Sequence, residues 1–210
     1  VNQSRPVGLR ERKRAATRQR IATEAARLAT ERGVAGVTAD EIADAADISR
    51  ATFFRFFATK ETAIAEGFSG PKVVELLDVL AAQPADLAPL DAVAQTFADL
   101  GQLLDAETRD LVLEQARIAA DSPALQAWMA SAWQRDEVLV AAVLADRLGV
   151  DPLDDLRPRM VAALAMAAMR LGLERWVAAD GQGQPAALFR EAMAAVTDRS
   201  VTPLRLLIDQ

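Results

Sequence analysis

The chain has 210 residues, 24 Lys+Arg against 30 Asp+Glu for a net charge of −6, and neither Cys nor His. Those two absences exclude disulfides, Cys/His zinc sites, cysteine nucleophiles and Ser-His-Asp triads, so neither a metal nor a cofactor is expected. Alanine supplies 45 residues while Tyr is missing, and a composition weighted to the best helix former predicts an all-α protein with a sizeable core.

Charge is divided unevenly. Residues 1–60 hold 12 basic and 7 acidic residues, whereas residues 61–210 hold 12 basic and 23 acidic. A basic end on an acidic body is the electrostatic footprint of a protein that meets a polyanion at one end only. Arg5, Arg10, Arg12, Lys13, Arg14, Arg18 and Arg20 face only Glu11 in the first 20 residues. Taken alone, the cluster suits a solvated tail as well as a DNA-binding arm carrying Arg14 and Arg18. Residues 1–8 lack the apolar core of a signal peptide, and no run of about 18 uncharged apolar residues follows, so a cytoplasmic protein without membrane contact is expected.

In chain order, a first helix is predicted over 9–32, with Ile21, Ala25, Leu28 and Ala29 on one face and Gly33 as its stop. Thr38 and Glu41 form a capping box for a second, short helix. Asp47-Ile48-Ser49 interrupts it, and Ser49 caps a third helix from Arg50 to Phe57. Thr59 caps a fourth, which Gly70-Pro71 bends or restarts. Further helices are predicted over 87–104, 108–120, 123–148, 154–179 and 185–196.

Two short helices joined by about three residues beside a basic helix have the dimensions of a helix-turn-helix, whose second helix enters the DNA major groove. Phe53 and Phe57, four apart, face inward with Ile48, leaving Arg50, Ala51, Thr52, Arg55 and Phe56 outside. Ala43 and Ala46 permit close crossing of the pair.

Residues 21–33 (IATEAARLATERG), Val37 to Ala43 (VTADEIA) and residues 49–61 (SRATFFRFFATKE) resemble the tetracycline-repressor (TetR) family of bacterial transcriptional regulators. The resemblance spans about residues 15–64 and implies an N-terminal three-helix helix-turn-helix domain over 1–66, then a helical effector-binding and dimerisation domain over 67–210. It implies a DNA-binding regulator and not an enzyme: a repressor released from a palindromic operator by a small hydrophobic or acyl-type effector. Its DNA-facing residues are then Thr38, Ser49, Arg50, Ala51, Thr52, Phe54, Arg55, Phe56 and Lys60, with Arg14 and Arg18 on the arm.

This chain departs from the family pattern at three positions. Asp47 stands where Gly is usual in the turn, and Phe54 and Phe56 stand where a phosphate-binding Tyr and a His are usual. Phosphate contact therefore shifts to Ser49, Thr52, Lys60 and the arm, while the two phenylalanines either pack or touch sugar and thymine methyl. Arg50 either reads guanine O6 and N7 with two hydrogen bonds or contacts phosphate. Lys60, at a helix start, shares a phosphate or is solvated.

Residues 160–176 (MVAALAMAAMRLGLERW) are apolar nearly all round, as in a helix shared between a core and a subunit interface. Ala163, Ala167 and Leu171, with Phe189 and Met193 on the following helix, are the candidate homodimer contacts. Arg117, Trp128, Met129, Trp133, Met166, Met169 and Arg170 are the candidate effector pocket, although core packing and helix-face ion pairs account for the same residues. Thr52 to Arg55, Arg157 to Met160 and Arg175 to Gly181 also look like a subgroup whose regulatory domain is described as acyl-CoA-like ligand binding. Two other readings compete: a small helical enzyme using Asp105 with Glu107 or Asp154 with Asp155, and a dimeric DNA-binding protein without a ligand.

Overall fold

The computed structural model describes residues 8–69, 72–103 and 105–197. They form α1 (Leu9–Arg32), α2 (Ala39–Ala45), α3 (Arg50–Phe56), α4 (Lys60–Ser69), α5 (Lys72–Ala82), α6 (Pro89–Leu103), α7 (Ala106–Ala120), α8 (Pro123–Leu148), α9 (Arg157–Ala178) and α10 (Pro185–Thr197). No strand occurs among the described residues, and the all-α expectation holds. The predicted break at Gly70-Pro71 lies outside the described residues.

Local chemistry sets the boundaries. Thr38 Oγ1 accepts from the Glu41 N–H at 3.2 Å while the Thr38 N–H donates to Glu41 Oε2 at 2.9 Å, closing the capping box of α2. Asp47 takes φ 51°, the left-handed conformation that the family's glycine would supply. Ser49 Oγ accepts from Thr52 N–H at 3.2 Å and starts α3, and Thr59 Oγ1 accepts from Thr62 N–H at 3.2 Å and starts α4. Asp105 Oδ1 accepts from Thr108 N–H at 2.7 Å, so α7 opens at Ala106. Asp155 Oδ1 accepts from Arg157 N–H at 2.9 Å, and α9 begins at Arg157 rather than 154. One carboxylate of each pair in the enzyme reading, Asp105 and Asp155, is thereby committed to a helix start.

The described residues pack as two compact units, one of residues 8–69 and 114–131 and the other of residues 72–113 and 132–197, apart from residue 104. These units do not coincide with a division at Gly67. In the first, Ile21, Ala25, Leu28 and Ala29 of α1 form a core with Ile42, Phe53, Phe57, Ile64 and Phe68, and Ala119 and Leu125 join it. Gly67 lies inside α4 at the closest approach to α1, where a Cβ would fall 2.1 Å from Ala22 O.

In the second unit, Leu76, Leu80, Val93, Val140, Leu144, Met166, Phe189 and Met193 form the core. Phe189 stacks against Phe97 with ring centroids 4.2 Å apart. Gly172 brings α9 against the backbone of α10, where a Cβ would lie 3.3 Å from Phe189 N. Arg147 holds the end of α5 by donating from Nη1 to Gln83 O at 2.7 Å and from Nη2 to Pro84 O at 2.6 Å.

Candidate nucleic-acid interface

With Phe53 and Phe57 fully buried beneath it, α3 presents Arg50, Ala51, Phe54 and Arg55 to solvent, with Thr52 and Phe56 half-buried. Phe53 and Phe57 thus face inward at the four-residue spacing, while Thr52 and Phe56, expected outside, are partly covered and Phe56 packs on the core. Phe54 remains 45% exposed and meets Phe53 edge-on at 5.2 Å. The Arg50 guanidinium lies 5.5 Å from the Phe54 ring centroid and donates from Nη1 to Asp40 Oδ2 at 2.6 Å. Phe56 packs partly on the core, under the Arg55 guanidinium at 5.8 Å.

Three hydroxyls named as DNA contacts already have local work. Thr38 Oγ1 donates to Glu41 Oε2 at 2.8 Å, and Ser49 Oγ lies 3.0 Å from Thr52 Oγ1. The Thr38 hydroxyl, the Thr38 N–H and the Arg32 guanidinium together hold the Glu41 carboxyl below the usual glutamate range.

The basic residues divide into structural and outward groups. Arg18 donates from Nε and Nη2 to the two carboxylate oxygens of Glu66, from Nη1 to Phe56 O at 2.8 Å, and covers the Phe57 ring at 4.3 Å. Its donors are aimed at α3 and α4 and not at an outside anion, which corrects its assignment to the arm. Lys60 Nζ donates to Val34 O at 2.8 Å and Val37 O at 2.6 Å, so two of its three protons close the α1–α2 connection. Lys13, Arg14, Thr17, Arg55 and Phe56, by contrast, line an open depression at the C-terminal end of α3. Glu66, Asp40 and Thr17 escape sequence reasoning: Glu66 is 48 residues from its partner, and Asp40 reads as an ordinary first-turn acid.

Family comparison agrees with this geometry. Residues 21–66 match the family model described as bacterial regulatory proteins, tetR family, and residues 87–200 match the one described as the MftR C-terminal domain. The HTH-type transcriptional regulator TcmR of Streptomyces glaucescens is 34% identical over 181 residues, covering 80% of this chain and 76% of TcmR. The chain belongs to the TetR family. It is a transcriptional regulator of the TetR type and not an enzyme. Thermus thermophilus FadR, a TetR-family repressor solved with lauroyl-CoA, superposes with a TM-score of 0.61 at 25% identity, covering 88% of this chain and 95% of that one. The multidrug-binding protein EbrR, solved with imidazole, gives 0.51 at 25% identity, covering 90% and 97%. No helix among the described residues is long and apolar enough to cross a membrane.

The effector candidates of this TetR regulator separate. Trp128 and Met129 pack on the core of the first unit, and Arg117 pairs with Glu114 at 3.5 Å. Trp133, Met166 and Met169 belong to the core of the second, and Arg170 donates to Glu174 Oε1 at 2.9 Å on the surface of α9. Of these, Met166 borders a narrow cleft that sequence reasoning missed, formed with Leu76, Leu80, Val93, Thr96, Phe97, Val140 and Ala165 and too tight for a water molecule. Its one polar residue, Thr96, is buried and donates to Ala92 O at 2.8 Å. Helical periodicity marks all these positions as core, and nothing in it distinguishes a cleft wall from a filled one.

The dimer candidates also separate. Phe189 and Met193 are 3% and 6% exposed within the single chain, which corrects their assignment: their surface is spent against α6 and α9 of the same unit. On α9, Ala163 and Ala167 are half-buried while Met160 and Leu171 are exposed. These four, spaced three or four residues apart, form one apolar stripe.

Proposed function

We propose that this TetR-family regulator is a cytoplasmic repressor that binds a palindromic operator as a two-fold homodimer, with α3 in the major groove, and leaves it when a small hydrophobic or acyl-type effector binds. Functionally, residues 1–66 serve DNA binding and residues 67–210 serve effector binding and dimerisation. The observation that carries the reading is the outer face of α3. Arg50, Ala51, Thr52, Phe54 and Arg55 are small, basic or apolar groups on a short helix fixed from beneath by Phe53 and Phe57. These are the side chains that read base edges and thymine methyls, while Lys13, Arg14 and Arg55 suit backbone phosphate at the end of the same helix.

A helix of 7 residues covers few base pairs, so two copies on half-sites about one helical turn apart supply the specificity. The Met160, Ala163, Ala167 and Leu171 stripe is the proposed contact between them. For the effector, the aliphatic and aromatic cleft beside Met166 supports an apolar ligand, and the lauroyl-CoA complex of FadR supports an acyl thioester. Because the cleft is closed in this conformation, binding selects an opened form, and a coupling of about 1–3 kcal/mol to DNA affinity makes a useful switch.

Selection of binding sites from random duplex DNA, followed by titration with long-chain acyl-CoA, tests the reading. A palindrome is expected, with operator affinity falling at saturating acyl-CoA and Trp fluorescence changing in parallel. Arg14→Ala should weaken binding to all duplexes and lower the salt slope by about one unit. Failure to select any sequence overturns the regulator mechanism; selection of a palindrome with no effect of acyl-CoA overturns the acyl-type effector.

A further inference from the structure

We infer that Asp40 is a specificity-determining residue: it positions the Arg50 guanidinium so that Arg50 reads a guanine in the major groove. The inference rests on the proposed DNA reading by α3 and adds a residue on a different helix.

Arg50 is the first residue of α3, and the N-terminal residues of a recognition helix are those that reach base edges. An arginine there has many rotamers, and ordering it on a base costs side-chain entropy. Here two neighbours restrict it. Asp40 Oδ2 accepts from Nη1 at 2.6 Å, and the Phe54 ring, one helical turn further along α3, lies 5.5 Å from the guanidinium carbon. The planar group is therefore held by one edge and one face. Its opposite edge, carrying Nε–H and Nη2–H, is a two-donor fork that matches guanine O6 and N7.

Stability does not explain the pair. The Arg50 and Asp40 side chains are 65% and 54% exposed, and ion pairs of that exposure contribute little to folding. A carboxylate on a face that meets phosphate also repels DNA of any sequence. Asp40 therefore lowers non-specific affinity while sharpening the one contact that distinguishes a base, and both effects raise the specificity ratio. Phosphate binding by Arg50 is disfavoured for the same reason, because the neighbouring carboxylate opposes the anion.

The test uses the full chain and the duplex that the wild-type protein selects from random DNA, with every base pair then varied singly. Wild-type protein is expected to prefer guanine at one fixed position in each half-site, and Arg50→Ala to lose that preference by about ten-fold or more. Asp40→Ala should lose about three-fold or more at the same position only, with affinity for random duplex equal to or above wild type. Asp40→Asn, which keeps an acceptor oxygen without the charge, should fall between. In the Arg50→Ala background, Asp40→Ala should leave base preference unchanged, which isolates the pairwise effect. Undiminished guanine preference in a folded Asp40→Ala protein overturns the inference, as does equal loss on all duplexes. Failure of the wild type to select any site overturns the DNA reading beneath it, and is thus distinguishable from failure of Asp40 alone.

Discussion

At Gly67 two opposing residue-scale effects can be compared. Replacing glycine by alanine inside α4 gains about 1 kcal/mol of helix propensity. The added Cβ, however, would meet Ala22 O at 2.1 Å and Ala26 Cβ at 2.6 Å, and a backbone oxygen within a helix cannot swing aside. Overpacking of this kind costs about 1–3 kcal/mol, so Gly67→Ala is expected to destabilise the protein, with a lower urea midpoint at unchanged slope. A raised midpoint would show that α1 and α4 separate easily. Glu41 offers a second test at this scale. Its carboxyl is held below the usual range by the Thr38 hydroxyl, the Thr38 N–H and Arg32, so its contribution is present above the ordinary glutamate pKa. It is lost as pH falls through the lowered value. Glu41→Gln should therefore flatten the acid side of the stability profile, and Thr38→Ala should cost about 1 kcal/mol at neutral pH. An unaltered acid limb in the Gln variant would remove the carboxylate from the cap's energetics.

Among elements, α3 is too short to hold its own geometry and depends on what is tied to it. Arg18 joins α1 to α4 through Glu66 and to the end of α3 through Phe56 O, with side-chain exposures of 41% and 25% for the pair. At that exposure the bidentate contact is worth about 1 kcal/mol, allowing for solvent screening. Glu66→Ala is expected to lower stability by that amount and to weaken binding to every duplex, without changing which base is preferred. A changed base preference would place Arg18 in direct readout. The contrast with α2 and α3 shows what was legible beforehand. Capping at Thr38, Ser49 and Thr59 and the burial of Phe53 and Phe57 follow from neighbours within four residues, and the turn at Asp47 from the family resemblance. The Arg18–Glu66 and Lys60–Val34 contacts join residues 48 and 26 positions apart, and a cluster of arginines looks the same in sequence whether it faces DNA or a carboxylate. Apolar periodicity likewise marked Phe189, Met193 and Met166 as inward-facing without saying whether a core, a cleft or a second subunit lies there.

For the whole molecule, the proposed dimer makes the α9 stripe the element that brings two recognition helices to act together. Met160 and Leu171 are 57% and 49% exposed, and Ala163 and Ala167 between them leave room for a second helix to approach closely. An apolar row of this kind on a soluble helix is an association surface when its neighbours are charged, as Arg159, Arg170 and Glu174 are here. Glutamate at position 167 discriminates between the alternatives. On a monomer surface, a helix accepts it with a change within about 0.5 kcal/mol. At the centre of a two-fold contact it appears twice, each copy near the other, and an unpaired buried charge costs several kcal/mol. Ala167→Glu is therefore expected to sediment as a folded monomer and to lose operator affinity disproportionately, since a single α3 reads only one half-site. Its affinity for an isolated half-site should stay near that of one wild-type subunit, which separates lost dimerisation from lost folding. An Ala167→Glu protein that remains dimeric at the wild-type concentration dependence would move the contact off the α9 stripe, with the exposed Val138 and Leu139 of α8 the next surface to test.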